Sequence, residues 1–69
     1  MKIGDRVHAY CTETDIEGTV IAGHDTDTGH WSTLQGKEID ADSVVLLTDV
    51  DGDKVRINGW LWSFEGVKQ

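Results

Sequence analysis

Glycine, rather than proline, divides this chain, and the pieces it leaves are built for strands. Eight glycines and no proline punctuate 69 residues, and the longest stretch free of glycine, residues 37–51, is β-branched and acidic. A helix of that length would favour Ala, Leu, Lys and Glu in a 3.6-residue stripe, and no such stripe is present. Short β-prone runs separated by frequent turns predict an all-β fold, a small barrel or rolled antiparallel sheet of roughly five or six short strands. One domain accounts for the whole length.

The pattern along the chain supports this. In "KIGDRVHAYC", Val7, Ala9 and Cys11 alternate with Arg6, His8 and Tyr10, which is strand period. "TETDIEG" then predicts a loop, and "GTVIAG" (18–23) a second strand bracketed by glycine. "HDTDTG" is turn chemistry, because Asp and Thr side chains bond nearby backbone. "HWSTL" predicts a third strand with Trp31 and Thr33 on one side, and "QGKE" another turn. "EIDADSVVLL" predicts a short strand, a tight turn at Ala41-Asp42-Ser43, and a further strand. Two β-prone runs then flank Asp51-Gly52, a preferred pair for a hairpin turn.

So short a chain buries only about 60% of the surface it exposes on unfolding, and one cysteine, Cys11, cannot form an internal disulfide. Large side chains or self-association must compensate. The stretch "WLWSF" (60–64), taken as a strand, puts Trp60, Trp62 and Phe64 on one face. These rings are expected to fill most of the core, with Trp60 or Trp62 partly exposed near Trp31 or Tyr10. Cys11, on the apolar phase, is expected to be a small buried side chain.

Thirteen carboxylates against six Lys and Arg give a net charge of −7 with neutral histidines. Broad binding to a phosphate backbone needs clustered cations, so direct nucleic-acid binding is disfavoured and a protein partner with a basic surface is expected. No apolar run approaches the ~20 residues that span a bilayer, and no basic-then-apolar leader precedes the first strand. Membrane association is therefore not expected, and with a single cysteine a cytoplasmic setting is.

"KIGDRV", then "EGTV", then "IDADSVVLL" as strand, turn and strand, resembles the Src-homology-3-like small barrels over about residues 2–47. That superfamily includes KOW-type and Tudor-type modules and short bacterial and bacteriophage proteins. The resemblance implies a binding module rather than an enzyme. The ligand residues of KOW and Tudor modules do not carry over, since neither an aromatic cage nor basic loops stand at the matching positions.

Metal and catalytic chemistry are weakly supported. A calcium loop of the EF-hand type wants glycine sixth and glutamate twelfth. From Asp25 the glycine falls fifth, and from Asp49 it falls fourth with Trp60 in the twelfth place. His8, His24, His30 and Cys11 match no metal-ligand spacing. No nucleophile elbow or phosphate loop marks a catalytic group. Neither a cofactor nor an enzymatic activity is expected.

The carboxylates themselves form rows spaced by two: Glu13, Asp15 and Glu17; Glu38, Asp40 and Asp42; Asp49, Asp51 and Asp53, with Asp25 and Asp27 a shorter set. Such groups share a face about 6.6 Å apart on extended chain. They could imitate the phosphates of a nucleic-acid strand and occupy the basic groove of a DNA- or RNA-handling protein. The favoured expectation is a small acidic binding protein, of the kind a phage or mobile element carries, that contacts another macromolecule. Candidate contact residues are Tyr10, Trp31, Trp60 and Trp62 with Glu38, Asp40, Asp42, Asp49, Asp51 and Asp53. Phosphate mimicry, and single-stranded nucleic-acid binding by Trp stacking, are the alternatives. Self-association is left open.

Overall fold

A computed structural model of the protein describes residues 1–48 and 52–67. These form six strands and no helix: β1 (Arg6–Tyr10), β2 (Asp15–Asp25), β3 (Trp31–Ser32), β4 (Ile39–Thr48), β5 (Lys54–Ile57) and β6 (Ser63–Gly66). All pair antiparallel in one open sheet of order β5-β4-β2-β1-β6, with β3 beside the distal end of β2.

The sheet curls because its two long strands are irregular where they meet. Ile21 is an extra residue on β2 between the pairs Val20–Leu46 and Ala22–Val45. Further along, Gly23 faces Val44 but His24 faces Asp40, so Ala41, Asp42 and Ser43 bulge out of β4. Bulges bend a strand and increase its twist. The terminal strands thereby share one interior, with Ile57 of β5 and Phe64 of β6 meeting the same cluster. The N-terminal segment joins through Ile3 N–H to Lys37 O (2.9 Å), Gly36 N–H to Ile3 O (2.8 Å) and Ile39 N–H to Met1 O (2.9 Å).

The buried cluster is aliphatic: Ile3, Val7, Ala9, Val20, Ile39, Val44, Leu46 and Ile57. This corrects the expectation that indole rings fill the middle. Trp62 and Phe64 pack on the cluster only partly buried, while Trp60 is 79% exposed. The cause is local. Asn58 accepts the N–H groups of Leu61 and Trp62 on its carbonyl and that of Trp60 on its side-chain oxygen. Residues 59–61 therefore coil into a turn, and the two-residue period holds only from Trp62 onward.

Four other expectations are corrected. β2 begins at Asp15, because Tyr10 pairs with it and Cys11 N–H closes on Thr14 O, leaving a loop of only 11–14. Cys11 lies just past β1 and is half-buried. β3 stops at Ser32, whose hydroxyl accepts the Leu34 N–H and turns the chain. Finally, residues 41–43 do not divide two strands but bulge within one. The β4–β5 hairpin is present, with Thr48 N–H bonded to Asp53 O and Gly52 at φ +67°. Asp49 and Asp51 lie outside the described residues.

Candidate interaction surface

Two irregular segments, the β4 bulge and the 58–62 turn, place polar and aromatic groups together. The indole N–H of Trp60 donates to Asp42 Oδ1 at 3.2 Å. Next to Asp42, the Ser43 hydroxyl accepts from Arg56 Nε (3.4 Å) and Nη2 (3.3 Å) on β5. The Arg56 guanidinium lies over the Trp31 ring, 5.1 Å from its centroid, and His24 meets that ring edge-on, also at 5.1 Å. A continuous strip thus runs from Trp60 through Asp42, Ser43 and Arg56 to Trp31. Its rings are open to solvent at 79% for Trp60 and 43% for Trp31, and Leu61 beside Trp60 is exposed as well. An indole held by hydrogen bonds at both its backbone and its ring is a pre-oriented apolar group, and contact through such a group loses less conformational freedom.

The other expected residues go elsewhere. Asp40 is exposed opposite His24 at the edge of the strip. Glu38 binds the Met1 amino group at 2.9 Å, and Asp53 is exposed at the base of the β4–β5 hairpin. Trp62 turns toward the core. Tyr10 belongs to a separate open groove of about 680 Å³, where its ring lies 5.6 Å from that of His8, and His8 Nε2 is 3.4 Å from Asp15 Oδ2.

A second trench, about 640 Å³, lies between β6 and the segment where Gly59 meets Ala41, lined by Met1, Val7, Trp62 and Phe64. Sequence reasoning missed Ser43, Arg56, Leu61 and Asn58. Only the last carried a sign, since Asn-Gly pairs favour turns.

The carboxylates of the 25–29 turn are already engaged. Asp25 is buried, accepts the Asp27 N–H on Oδ1 (2.8 Å) and binds Lys37 Nζ through Oδ2 (3.2 Å). The Asp27 N–H, aided by Lys37, holds its pKa below the usual carboxylate value against the opposing effect of burial. Among the described residues, no group of three or more His, Cys, Asp or Glu is arranged to hold a metal ion. Nor is any helix there long and apolar enough to cross a membrane.

Fold and surface together define an all-β domain that carries a fixed, exposed aromatic strip with acidic neighbours. Comparison with family models, with curated proteins and with solved structures found no match for the chain.

Proposed function

We propose that the protein is a small acidic, non-enzymatic binding module that contacts a partner protein with a basic surface. The observation that carries this reading is Trp60, 79% exposed yet fixed by Asp42 and Asn58. Exposed tryptophans ringed by polar groups are favoured anchors in protein interfaces, and a net charge of −7 steers cationic partners. An all-β sheet supports assignment to the Src-homology-3-like barrels, and a free Cys11 thiol supports a reducing, cytoplasmic setting. An accessory role in a phage or mobile element is the context proposed.

Phosphate mimicry ranks second. Glu17 pairs with Arg6 at 3.1 Å, Glu38 with the N-terminal amine and Asp42 with the Trp60 indole, and the bulge at 41–43 interrupts the Glu38–Asp40–Asp42 row. Charge spent on internal partners is poorly placed to imitate a regular phosphate track.

The test is affinity capture from the native host with the intact chain, followed by titration of the captured protein. Trp60→Ala should weaken binding by about 30-fold or more, the scale of a 2 kcal/mol hot spot. Binding that survives Trp60→Ala but collapses with rising salt favours mimicry instead. A complex with single-stranded oligonucleotide at low salt would favour base stacking.

A further inference from the structure

Among the described residues the path β5-β4-β2-β1-β6 ends in two strands, β5 and β6, that each pair on one side, and the chemistry of their outer edges differs. In an antiparallel ladder, hydrogen-bonded pairs alternate with pairs whose backbone groups point away from the partner strand. The Thr48 N–H to Asp53 O bond sets this alternation for β5, so Lys54 and Arg56 turn their backbone groups outward. That edge carries two exposed cationic side chains, a common guard against strand addition.

On β6 the Val67 N–H to Arg6 O bond sets the alternation. His8–Glu65 and Tyr10–Ser63 are then the bonded pairs, and Phe64 and Gly66 direct their N–H and C=O groups to the outer edge. No cationic side chain stands on β6. Beside it lies the trench of about 640 Å³, within the range of clefts that hold ligands, roughly 300–1,000 Å³. Gly66 opens the trench further, since a β-carbon there would meet nothing within 4 Å.

We propose that an extended segment of the partner protein, alternating apolar and basic residues, adds to the sheet as a strand along β6. This rests on the binding-module reading and names the form of the partner. Residues of the incoming strand opposite Phe64 and Gly66 share the inward face and drop apolar side chains into the trench. The residue between them faces outward beside Glu65, which continues across the sheet to His8 and then Glu17. An opposite-charge neighbour is favoured there and a like charge disfavoured. Asp5 on the trench wall and the overall charge of −7 add to the preference for a cation. A second copy joined β6 to β6 fits worse, because that pairing brings the two Glu65 side chains into one small patch.

The probe is an acetylated, amidated hexapeptide of alternating valine and lysine, titrated into the isotope-labelled full chain. Alternating valine–glutamate and all-lysine peptides serve as controls. Amide exchange at Phe64 and Gly66 should slow by about tenfold or more at saturation. Gly66→Pro leaves the β1–β6 ladder its bonds but removes one outward donor, and should weaken binding about tenfold. Should that variant not fold, Gly66→Val, which fills the trench without a left-handed backbone to strain, should weaken it similarly. Glu65→Lys should transfer preference to the valine–glutamate peptide.

Equal binding of the all-lysine peptide, or full affinity in the folded Gly66 variants, would overturn the proposal. So would protection of the Phe64 and Gly66 amides without peptide in a dimer detected by sedimentation. If the captured host protein is lost with Trp60→Ala but retained by Gly66→Pro, strand addition fails while the binding-module reading stands.

Discussion

Gly59 rests so closely against the carbonyl of Ala41 that any β-carbon at position 59 would overlap that oxygen. This contact seats the 58–62 turn on the β4 bulge, and the indole of Trp60 reaches Asp42 across the same junction. Backbone approach, rather than ring burial, joins the C-terminal segment to the sheet here.

Gly59→Ala should therefore destabilise the protein by about 1–3 kcal/mol, the usual cost of forcing atoms into a packed site. It should also shift the amide and indole resonances of Trp60. Urea unfolding with a ¹⁵N correlation spectrum checks both, and an unchanged midpoint would contradict the contact.

Core and surface should separate cleanly in mutational cost. Leu46 is fully buried among aliphatic neighbours, so Leu46→Ala should cost about 2–5 kcal/mol. Trp60→Ala should cost far less, within about 1 kcal/mol, because most of its ring is already in water. Chemical unfolding of both variants checks this. Equal losses would put the indole back in the core.

Acid should weaken the protein partly through Asp25. Its pKa is held below the ordinary 3.8, chiefly by the Asp27 N–H and then by Lys37. A carboxylate lowered on folding stabilises above its unfolded pKa, and that contribution is lost as pH falls through the folded value. Stability should therefore decline as pH drops below the usual carboxylate range, with a flatter acid limb in Asp25→Asn. Lys37, raised above 10.5 first by Asp25 and then by Asp27, gives the mirror case. Its contribution is complete below the unfolded pKa and lost as pH rises through the folded one. Unfolding midpoints across pH for both proteins test this, and superimposable acid limbs would count against it.

Arg56 over Trp31 should register as a weak coupling. A double-mutant cycle of Arg56→Ala and Trp31→Ala should return about 0.5–1 kcal/mol, as for exposed cation–π pairs. A coupling of zero would mean that the strip between Trp31 and Asp42 is not held together by this contact.

Much of the fold was legible because local rules sufficed. Val7 and Ala9 alternate inward on β1 and Val55 and Ile57 on β5 as their spacing predicts, and the apolar run Val44–Leu47 is a strand, although only its pairing picks out Val44 and Leu46 as the buried pair. Local rules failed where three residues of β4 meet one step of β2. Nothing in "DADSV" distinguishes a bulge from a turn, since only pairing with Gly23 and His24 decides it. They failed again at Trp60, where spacing suggested a row of buried rings and Asn58 coiled the backbone instead. The aromatic and acidic composition of the candidate surface was visible, but not its membership. Asp42 and Trp60 stand eighteen positions apart, and Arg56 had no reason to be placed beside Trp31.

Sequence alone determined that this chain is all strand and turn, because glycine spacing, β-branched runs and two-residue periodicity act within a few residues of one another. Tertiary structure decided which rings face water and which strands end the sheet path. Those depend on the register of strands far apart in the chain, and register follows from the collective packing of the aliphatic interior.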